Sequence, residues 1–230
     1  MIYSRFAHIG DLFSILGTNL QALIDAQLGF DVKAEIVLVL SNRKAAYGLT
    51  RASNANPPIP TAYLAMQPWL KANPGKTRDD YDAEVARMVL KAQPDLVVLA
   101  GWMHVFGDEF LNLVSQPSSI AQELSFPADF KFPIPVINLH PALPGAFDGA
   151  HAIDRAWDVY KEGRLDKTGV MVHRVVRQVD AGEPVLIREI PFEDGESKEQ
   201  YEGRLHAVEW EVIVAATNIV LRQRKEQIQG

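Results

Sequence analysis

The chain alternates between short apolar runs and longer stretches in which apolar residues recur with helical spacing. The apolar runs are rich in β-branched residues, which is typical of strands buried on both faces of a parallel sheet. They cover residues 34–40, 95–100 and 136–139. Helical spacing covers residues 19–27, 44–54 and 77–91, with Thr18 and Thr77 as predicted N-caps. This order of elements predicts an α/β fold with a Rossmann-like, doubly wound, mostly parallel sheet.

The C-terminal third of the chain has a different pattern. Residues 169–176 and 184–190 are spaced like an antiparallel strand pair around a turn at residues 180–183. A long amphipathic helix is predicted over residues 198–225. Surface loops are predicted at residues 54–59 and at residues 115–135, where four prolines indicate a tolerated insertion. We expect these elements to form a single domain over residues 1–230.

The N-terminal segment fits this pattern least well. A sheet of this kind needs an apolar strand before its first helix, whereas residues 4–11 read SRFAHIGD and mix polar with apolar positions. We therefore predict that this segment makes a poor first strand, which leaves two interpretations open: a rebuilt N-terminal segment or an error in the gene model.

The composition excludes several classes of function. A net charge of −6 argues against a nucleic-acid partner, because nucleic-acid-binding domains usually carry a basic face. The chain contains no cysteine, so thiolate nucleophiles and cysteine metal sites are excluded. It has no apolar run of 18 or more residues and no charged leader before an apolar stretch. We expect a protein without membrane contact that resides in the cytoplasm.

The candidate chemistry begins at Asn138 and His140, at the carboxyl end of a predicted strand. Open α/β sheets bind ligands there, and residues two apart on a strand point to the same face. The amide and the imidazole could together stabilise an oxyanion. A carboxylate nearby would keep the imidazole charged and help to move a proton, and Asp180 on its predicted turn is the candidate. Each motif alone is more often structural, but their joint appearance favours a catalytic site.

Four motifs resemble those of the glycinamide ribonucleotide formyltransferases, in the same order and spacing. They are GTNLQALIDA, VLAGWMHVF, NLHPALPGAFDG and VHRVVRQVDAGEPV, and the similarity runs from about residue 17 to residue 221. The chain is most similar to the stand-alone fungal form. The resemblance implies transfer of a formyl group from 10-formyltetrahydrofolate to the amine of glycinamide ribonucleotide in purine synthesis. It implies neither a metal nor a covalent enzyme intermediate, and the sequence carries no signal for an oligomeric state.

The resemblance also assigns roles to particular residues. It implies that Asn138, His140 and Asp180 are catalytic, and that Glu209 contacts the substrate ribose. It implies that Gly17, Thr18 and Asn19, at the start of the first helix, bind the substrate phosphate. The residues implied to bind the folate are Arg78, Met103, His104, Val105, Phe106, Arg177, Gln178 and Val179. By this assignment residues 1–100 form a phosphate-binding half and residues 101–230 a folate-binding and catalytic half.

Two positions depart from the family pattern. Ile15 stands where the family has the first glycine of its phosphate loop, and a β-branched residue is poorly suited to positive φ or close approach to a phosphate. Trp210 stands where relatives usually have histidine, which indicates a change in packing. His173 matches a recurrent family histidine, for which we predict a structural or supporting role. The altered loop keeps open the alternative of a catalytically impaired relative.

Other functions share the same three residues or the same fold. Enzymes that formylate methionyl-tRNA or hydrolyse formyl-folate use the same Asn, His and Asp, but they carry an additional domain for which 230 residues leave no room. A dinucleotide-dependent oxidoreductase would need a Gly-x-Gly-x-x-Gly at the opening helix, and the helix that starts near Thr18 lacks it. These functions remain alternatives to the formyltransferase.

Overall fold

The structure is a computed structural model that describes residues 7–13, 17–26, 34–116, 124–128 and 130–229. Its strands form one sheet of seven in the order β3-β2-β1-β4-β5-β6-β7. The strands are β1 (Ala7–Phe13), β2 (Ala34–Ser41), β3 (Thr61–Tyr63), β4 (Leu96–Ala100), β5 (Val136–His140), β6 (Lys167–Arg174) and β7 (Pro184–Pro191). Neighbours from β3 to β5 pair in parallel, whereas β6 and β7 pair antiparallel. The predicted fold class is confirmed.

Seven helices lie within the described ranges. They are α1 (Thr18–Ala26), α2 (Tyr47–Ser53), α3 (Met66–Ala72), α4 (Arg78–Lys91), α5 (Asp108–Ser115), α6 (Ala152–Lys161) and α7 (Lys198–Gln229). Thr77 caps α4 as predicted, in a capping box with Asp80 in which each side chain accepts the other's backbone N–H. The other predicted cap, Thr18, is instead the first residue of its helix, so that Gly17 precedes it. The helix predicted over residues 44–54 is shorter and begins at Tyr47.

The first strand corrects our expectation for the N-terminus. Residues 7–13 form β1, which hydrogen-bonds to β2 on one side and to β4 on the other, at the centre of the sheet. A register shift between Ile9 and Gly10 lets this segment keep its pairing with β2. Backbone hydrogen bonds on both edges outweigh the mixed side-chain pattern from which we predicted a poor strand. Residues 1–6 and 14–16, including Ile15, lie outside the described residues.

Both faces of the sheet are covered by helices, as the apolar runs indicated. Strand β4 shows this directly, because all five of its residues are buried. Leu96 and Val98 pack into a cluster with α1 and α7, while Val97 and Leu99 pack into a second cluster with α4 and α5. Burying each such side chain contributes about 1.5–3 kcal/mol to stability. This double layer fixes β4 and β5 rigidly, so the loops at their carboxyl ends start from fixed points.

The described part of the predicted insertion at residues 115–135 packs against the body of the protein. Phe126, Phe130 and Phe132 contact one another, with ring centroids 4.9–5.2 Å apart. Buried Arg224 on α7 donates a 3.0 Å hydrogen bond to the carbonyl of Pro133. These contacts tie the end of the segment to α7 before β5 begins. Across the described ranges, no helix has the length and apolar character needed to cross a membrane.

Candidate active site

A cavity of about 380 Å³ lies at the carboxyl ends of β4 and β5. Open parallel sheets place their ligand sites at this edge, where the loops after neighbouring strands diverge. Its walls come from the start of α1, the loop after β4, the end of β5 with the loop that follows, the segment after β6, and one face of α7. The polar residues on these walls are Asn19, His104, Asn138, His140, His173, Gln178, Asp180 and Glu209.

Asn138, His140 and Asp180 meet on one wall of this cavity. The Asn138 amide nitrogen lies 3.4 Å from Oδ1 of Asp180, and Nδ1 of His140 lies 3.4 Å from Oδ2 of the same carboxylate. The side chains of His140 and Asp180 are 4% and 7% exposed, so water competes little for these contacts. The three predicted catalytic residues are therefore within reach of one ligand.

Asp180 reaches this position because of the segment that connects β6 to β7. Its backbone is left-handed, with φ +53°, and its Oδ2 accepts a 2.8 Å hydrogen bond from the backbone N–H of Gly149. Two residues later the chain passes so close to β6 that a Cβ on Gly182 would lie 1.6 Å from the carbonyl oxygen of Arg174. Glycine at 182 is therefore required for this close approach, and the Asp-x-Gly pattern serves both the turn and the site.

The environment of Asp180 favours its ionised form. Burial is the largest single influence on its pKa and acts to raise it. The hydrogen bonds from His173 and from the Gly149 amide, with the charges of His140 and His173, act in the opposite direction and outweigh burial. The pKa of Asp180 is consequently lowered from its ordinary value, and the group is a carboxylate near neutral pH.

The imidazole of His140 is fixed at both nitrogens. Nδ1 faces the Asp180 carboxylate, and Nε2 lies 3.1 Å from the backbone carbonyl of Ala146. Both partners are hydrogen-bond acceptors, so either ring nitrogen can donate an N–H to its neighbour. The site thus places an amide and an imidazole beside a carboxylate.

His173 contacts two of the predicted catalytic residues, in agreement with the structural or supporting role that we predicted for it. It pairs with Asn138 across β5 and β6, and its Nε2 lies 3.2 Å from the Asn138 amide nitrogen and 3.3 Å from Oδ1 of Asp180. Its Nδ1 lies 2.9 Å from the carbonyl of Arg174, which accepts an N–H from it. The predicted strand pair around the turn at 180–183 joins β6 to β7, so the sequence carried no signal for the pairing of β6 with β5 that makes this contact.

The residues predicted to bind the folate fall into two groups. Met103, His104, Val105, Phe106, Gln178 and Val179 line the cavity. Arg78 and Arg177 lie beside it with their guanidinium groups exposed: Arg78 donates to the carbonyl of Val105, and Arg177 pairs with the carboxylate of Asp108. The cavity wall is therefore built mainly from apolar side chains, with both arginines bonded to elements behind or beside it.

Of the residues predicted to bind the phosphate, at the start of α1, Asn19 lines the cavity, whereas Gly17 and Thr18 are not part of its wall. Gly17 is buried with φ +65°, and its carbonyl accepts the N–H of Gln21 as the first bond of the helix. Asn19 lines the cavity, and its buried Oδ1 has no hydrogen-bond partner among the described residues. Thr18 lies between them, half-buried. The start of α1 therefore reaches the cavity wall through Asn19.

Glu209 projects from α7 into the same cavity. Its side chain is buried, and Oε2 lies 2.6 Å from Nδ1 of His206, one helical turn away. The hydrogen bond to Glu209 is the main reason that the pKa of His206 is raised from its ordinary value, against the opposing influence of burial. The carboxylate is thereby oriented from its own helix.

One group of described residues could hold a metal ion. His140, Asp148 and Asp180 each offer a ligand atom, and these atoms lie within 4.8 Å of one another. Two of the three already contact each other, and Asp180 also accepts the Gly149 N–H. The group is equally suited to proton transfer between an imidazole and a carboxylate.

The fold and the site together define a class of protein. It is an α/β enzyme with an open sheet, a cavity at the carboxyl ends of the central strands, and an amide, an imidazole and a carboxylate on its wall.

The comparisons with known proteins give the family. The formyl transferase family model matches residues 11–120 and 126–217, so the match is interrupted within the predicted insertion. The phosphoribosylglycinamide formyltransferase of Schizosaccharomyces pombe is 42% identical over 93% of this chain and 97% of its own length. The phosphoribosylglycinamide formyltransferase of Saccharomyces cerevisiae is 41% identical over 94% of this chain and 98% of its own length. The chain belongs to the formyl transferase family, and both yeast relatives are phosphoribosylglycinamide formyltransferases.

Solved structures agree with this assignment. The glycinamide ribonucleotide transformylase 1 of Geobacillus kaustophilus superimposes with a TM-score of 0.72 at 28% identity, covering 94% of this chain and all of that one (100%). The phosphoribosylglycinamide formyltransferase of Bacillus halodurans gives a TM-score of 0.73 at 25% identity, over 93% of this chain and 95% of that one. The resemblance to the stand-alone fungal form is confirmed by the near-complete coverage of both yeast relatives.

Proposed function

We propose that this protein transfers a formyl group from 10-formyltetrahydrofolate to the amine of glycinamide ribonucleotide, in de novo purine synthesis. The observation that carries the proposal is the convergence of Asn138, His140 and Asp180 within 3.4 Å on one cavity wall. The names of the relatives support the same substrates. The protein would then act on small molecules in the cytoplasm, without a nucleic-acid or membrane partner.

The folate would bind along the side of the cavity formed by residues 103–106 and 177–179. Met103, Val105 and Val179 present exposed apolar surface there, which suits the flat ring system of a pterin. Arg78 and Arg177 stand at the edge of this wall, where their charges would attract the carboxylates at the other end of a folate. Folate is a co-substrate in this proposal and is released after each turnover.

The glycinamide ribonucleotide would bind across the cavity with its phosphate at the start of α1. Free backbone N–H groups and the positive helix end attract a phosphate at Gly17, Thr18 and Asn19. Glu209 would accept hydrogen bonds from the ribose hydroxyls. Residues 1–100 would then serve mainly the phosphate, and residues 101–230 the folate and the chemistry.

The reaction would proceed by direct attack. The substrate nitrogen forms a bond to the formyl carbon, the carbonyl oxygen takes the negative charge, and the bond from that carbon to N10 of the folate then breaks. The Asn138 amide and the His140 imidazolium would stabilise the oxyanion, since both offer N–H donors on the cavity wall. Asp180 would keep His140 charged and carry the proton from the attacking amine towards N10, through a water molecule. Neither a metal nor a covalent enzyme intermediate takes part.

A formyl-transfer assay on the purified chain tests the proposal. The protein is given both substrates, and formation of tetrahydrofolate and of formylated glycinamide ribonucleotide is followed together. Equal rates of formation of both products support the proposal. Tetrahydrofolate formed without glycinamide ribonucleotide would instead indicate the hydrolase, and formylation of methionyl-tRNA would indicate the other family branch.

A catalytically impaired relative is distinguished by a second measurement. A ligand that binds the native state raises the thermal midpoint, by an amount that grows with its concentration relative to Kd. We expect glycinamide ribonucleotide to raise the midpoint. Absence of both turnover and a shift at saturating ligand would favour the impaired relative, and would trace the loss to the altered loop that includes Ile15.

A further inference from the structure

The loop after β4 is held in place by a carboxylate that lies outside the cavity. Asp82 on α4 is fully buried, with 0% of its side chain exposed, and it is absent from the cavity wall. Its Oδ1 lies 2.5 Å from Nε2 of His104, and its Oδ2 accepts a 2.7 Å hydrogen bond from the backbone N–H of Gly107. Both contacts are short for N–H···O hydrogen bonds. One buried carboxylate thus binds both ends of the segment 104–107.

Burying a carboxylate costs free energy unless hydrogen bonds compensate it. The hydrogen bonds from His104 and Gly107 therefore stabilise the position of the loop relative to α4. Oδ1 can accept a hydrogen bond but not donate one when the group is ionised, which requires that Nε2 of His104 carry the proton. Tyr81, Trp102 and Phe106 surround that imidazole with their rings, at centroid distances of 5.4, 6.3 and 5.3 Å. His104 therefore has one hydrogen-bond partner and a fixed ring plane.

Residues 103–106 all line the cavity, but their side chains are exposed to different extents. His104 is 10% exposed and Phe106 is buried, because both pack into the aromatic cluster, whereas Met103 and Val105 are 58% and 49% exposed. Arg78, one helical turn before Asp82 on the same face of α4, donates to the carbonyl of Val105. Helix α4 thus holds the segment at three points.

We infer that Asp82 is a positioning residue for the folate co-substrate: through His104 and Gly107 it fixes the wall formed by Met103 and Val105. The inference rests on the proposed function, because it assigns that wall to the folate. The inference goes beyond the proposed function, because Asp82 does not line the cavity and is nevertheless expected to set the affinity for the folate and not for glycinamide ribonucleotide.

The test compares Asp82→Ala with the matched control Glu196→Ala. Glu196 is also a buried carboxylate, at 5% exposure, and it accepts hydrogen bonds from one backbone N–H and from the side chain of Arg204, but it lies away from the cavity. Loss of charged hydrogen bonds of this kind changes an affinity by about 10-fold to 100-fold. We expect Asp82→Ala to raise the Kd for tetrahydrofolate and the KM for formyl-folate by about that factor. The KM for glycinamide ribonucleotide should stay within about twofold.

Two further variants keep the test decisive. Asp82→Leu replaces the carboxylate by an apolar group of similar size, which buried sites often tolerate, and should show the same loss if Asp82→Ala fails to fold. Asp82→Asn keeps an acceptor for the Gly107 N–H and an amide that can bond to His104, and should restore most of the affinity. Glu196→Ala should lower the thermal midpoint while leaving the Kd for tetrahydrofolate unchanged.

The inference is overturned if a folded Asp82→Ala or Asp82→Leu protein binds tetrahydrofolate as wild type does. It is also overturned if both substrates are affected equally, or if Glu196→Ala loses as much folate affinity. Calorimetry measures the binding of tetrahydrofolate without turnover, so the test of Asp82 can be distinguished from the test of the proposed function. A wild-type protein that binds tetrahydrofolate but transfers no formyl group would refute the function, while the ratio of the Kd values would still decide the role of Asp82.

Discussion

The two sides of the cavity differ in how their polar atoms are satisfied. On the wall with the predicted catalytic residues, Asn138 and His140 each contact Asp180, and all three also bond to other protein groups. At the start of α1, within the residues that the structure describes, the buried Oδ1 of Asn19 has no partner. Groups that must be aimed at a developing charge are held in advance, whereas groups that bind a ligand leave bonding capacity for it. Variants on the two sides should therefore affect different kinetic constants.

The largest effect is expected from Asp180→Asn. The amide cannot take up a proton and does not favour a charged His140, so kcat should fall by about a thousandfold. The Kd for tetrahydrofolate should change little, because the amide keeps the size of the side chain. Single-turnover formyl transfer measures the first quantity and calorimetry the second. A variant within about tenfold of wild type, roughly 1.4 kcal/mol of barrier, would remove Asp180 from the mechanism.

The opposite side of the cavity is tested by Asn19→Asp. A new carboxylate beside the positive end of α1 would repel a phosphate, and at close range the KM for glycinamide ribonucleotide should rise by about a hundredfold. The matched variant Asn19→Ala removes one hydrogen-bonding group without adding charge and should raise the same KM by about threefold. Steady-state kinetics at fixed formyl-folate measures both. Equal effects of the two substitutions would show that no anion binds there.

A smaller effect is expected from the loop that orients the catalytic wall. Arg155 on α6 donates a 2.7 Å hydrogen bond to the carbonyl of Asp148 and a further one to the carbonyl of Phe147, which has φ +53°. The same loop supplies the Ala146 carbonyl and the Gly149 N–H to the site. Arg155→Gln should lower kcat by about tenfold through loss of this restraint, with both KM values nearly unchanged.

The control for that variant is Arg164→Gln, which removes an exposed arginine whose partner is Glu162 near the end of the same helix. Its kcat should equal that of wild type. If both substitutions lowered turnover alike, the effect of Arg155 would reflect the stability of α6 and not the position of the loop.

The smallest effect concerns stability at different pH values. Because the pKa of Asp180 is lower in the folded protein than in the unfolded chain, its ionisation stabilises the fold. This contribution is complete above the unfolded value near 3.9 and is lost as the pH falls through the folded value. Denaturant unfolding of wild type and Asp180→Asn should therefore give free energies whose difference shrinks below about pH 4. A difference that stays constant down to pH 2 would contradict the lowered pKa.

The parts of the fold that were predictable are those set by local pattern. The buried runs of β4 and β5 and the capping box of α4 follow from neighbouring residues, and so does the shared face of Asn138 and His140. Strand β1 was not predictable, because its pairing with β2 and β4 decides its structure more than its own mixed pattern. Short elements such as β3 and α3 were not predicted either, since they span too few residues to show a strand or helix period in their apolar positions.

The site shows the same division between local and distant information. The three residues on the catalytic wall could be proposed from chemistry and resemblance, but the bond between His104 and Asp82 joins residues on separate elements, 22 positions apart. No spacing rule connects them, and Asp82 on an amphipathic helix has the pattern of a solvated residue. The positions of Arg78 and Arg177 likewise depend on distant acceptors, which are the carbonyl of Val105 for Arg78 and the carboxylate of Asp108 for Arg177.

The close approach of Gly182 to Arg174 shows how a substitution outside the three site residues could destroy the site. A single added methyl group would collide with the carbonyl of Arg174, so the chain would have to move away from β6 and carry the neighbouring carboxylate with it. Asn138, His140 and Asp180 would all still be encoded, yet the Asp180 carboxylate would no longer stand opposite the His140 imidazole. Inheritance of the three reactive residues is therefore an incomplete guide to activity, since a position with no side chain at all decides whether they meet.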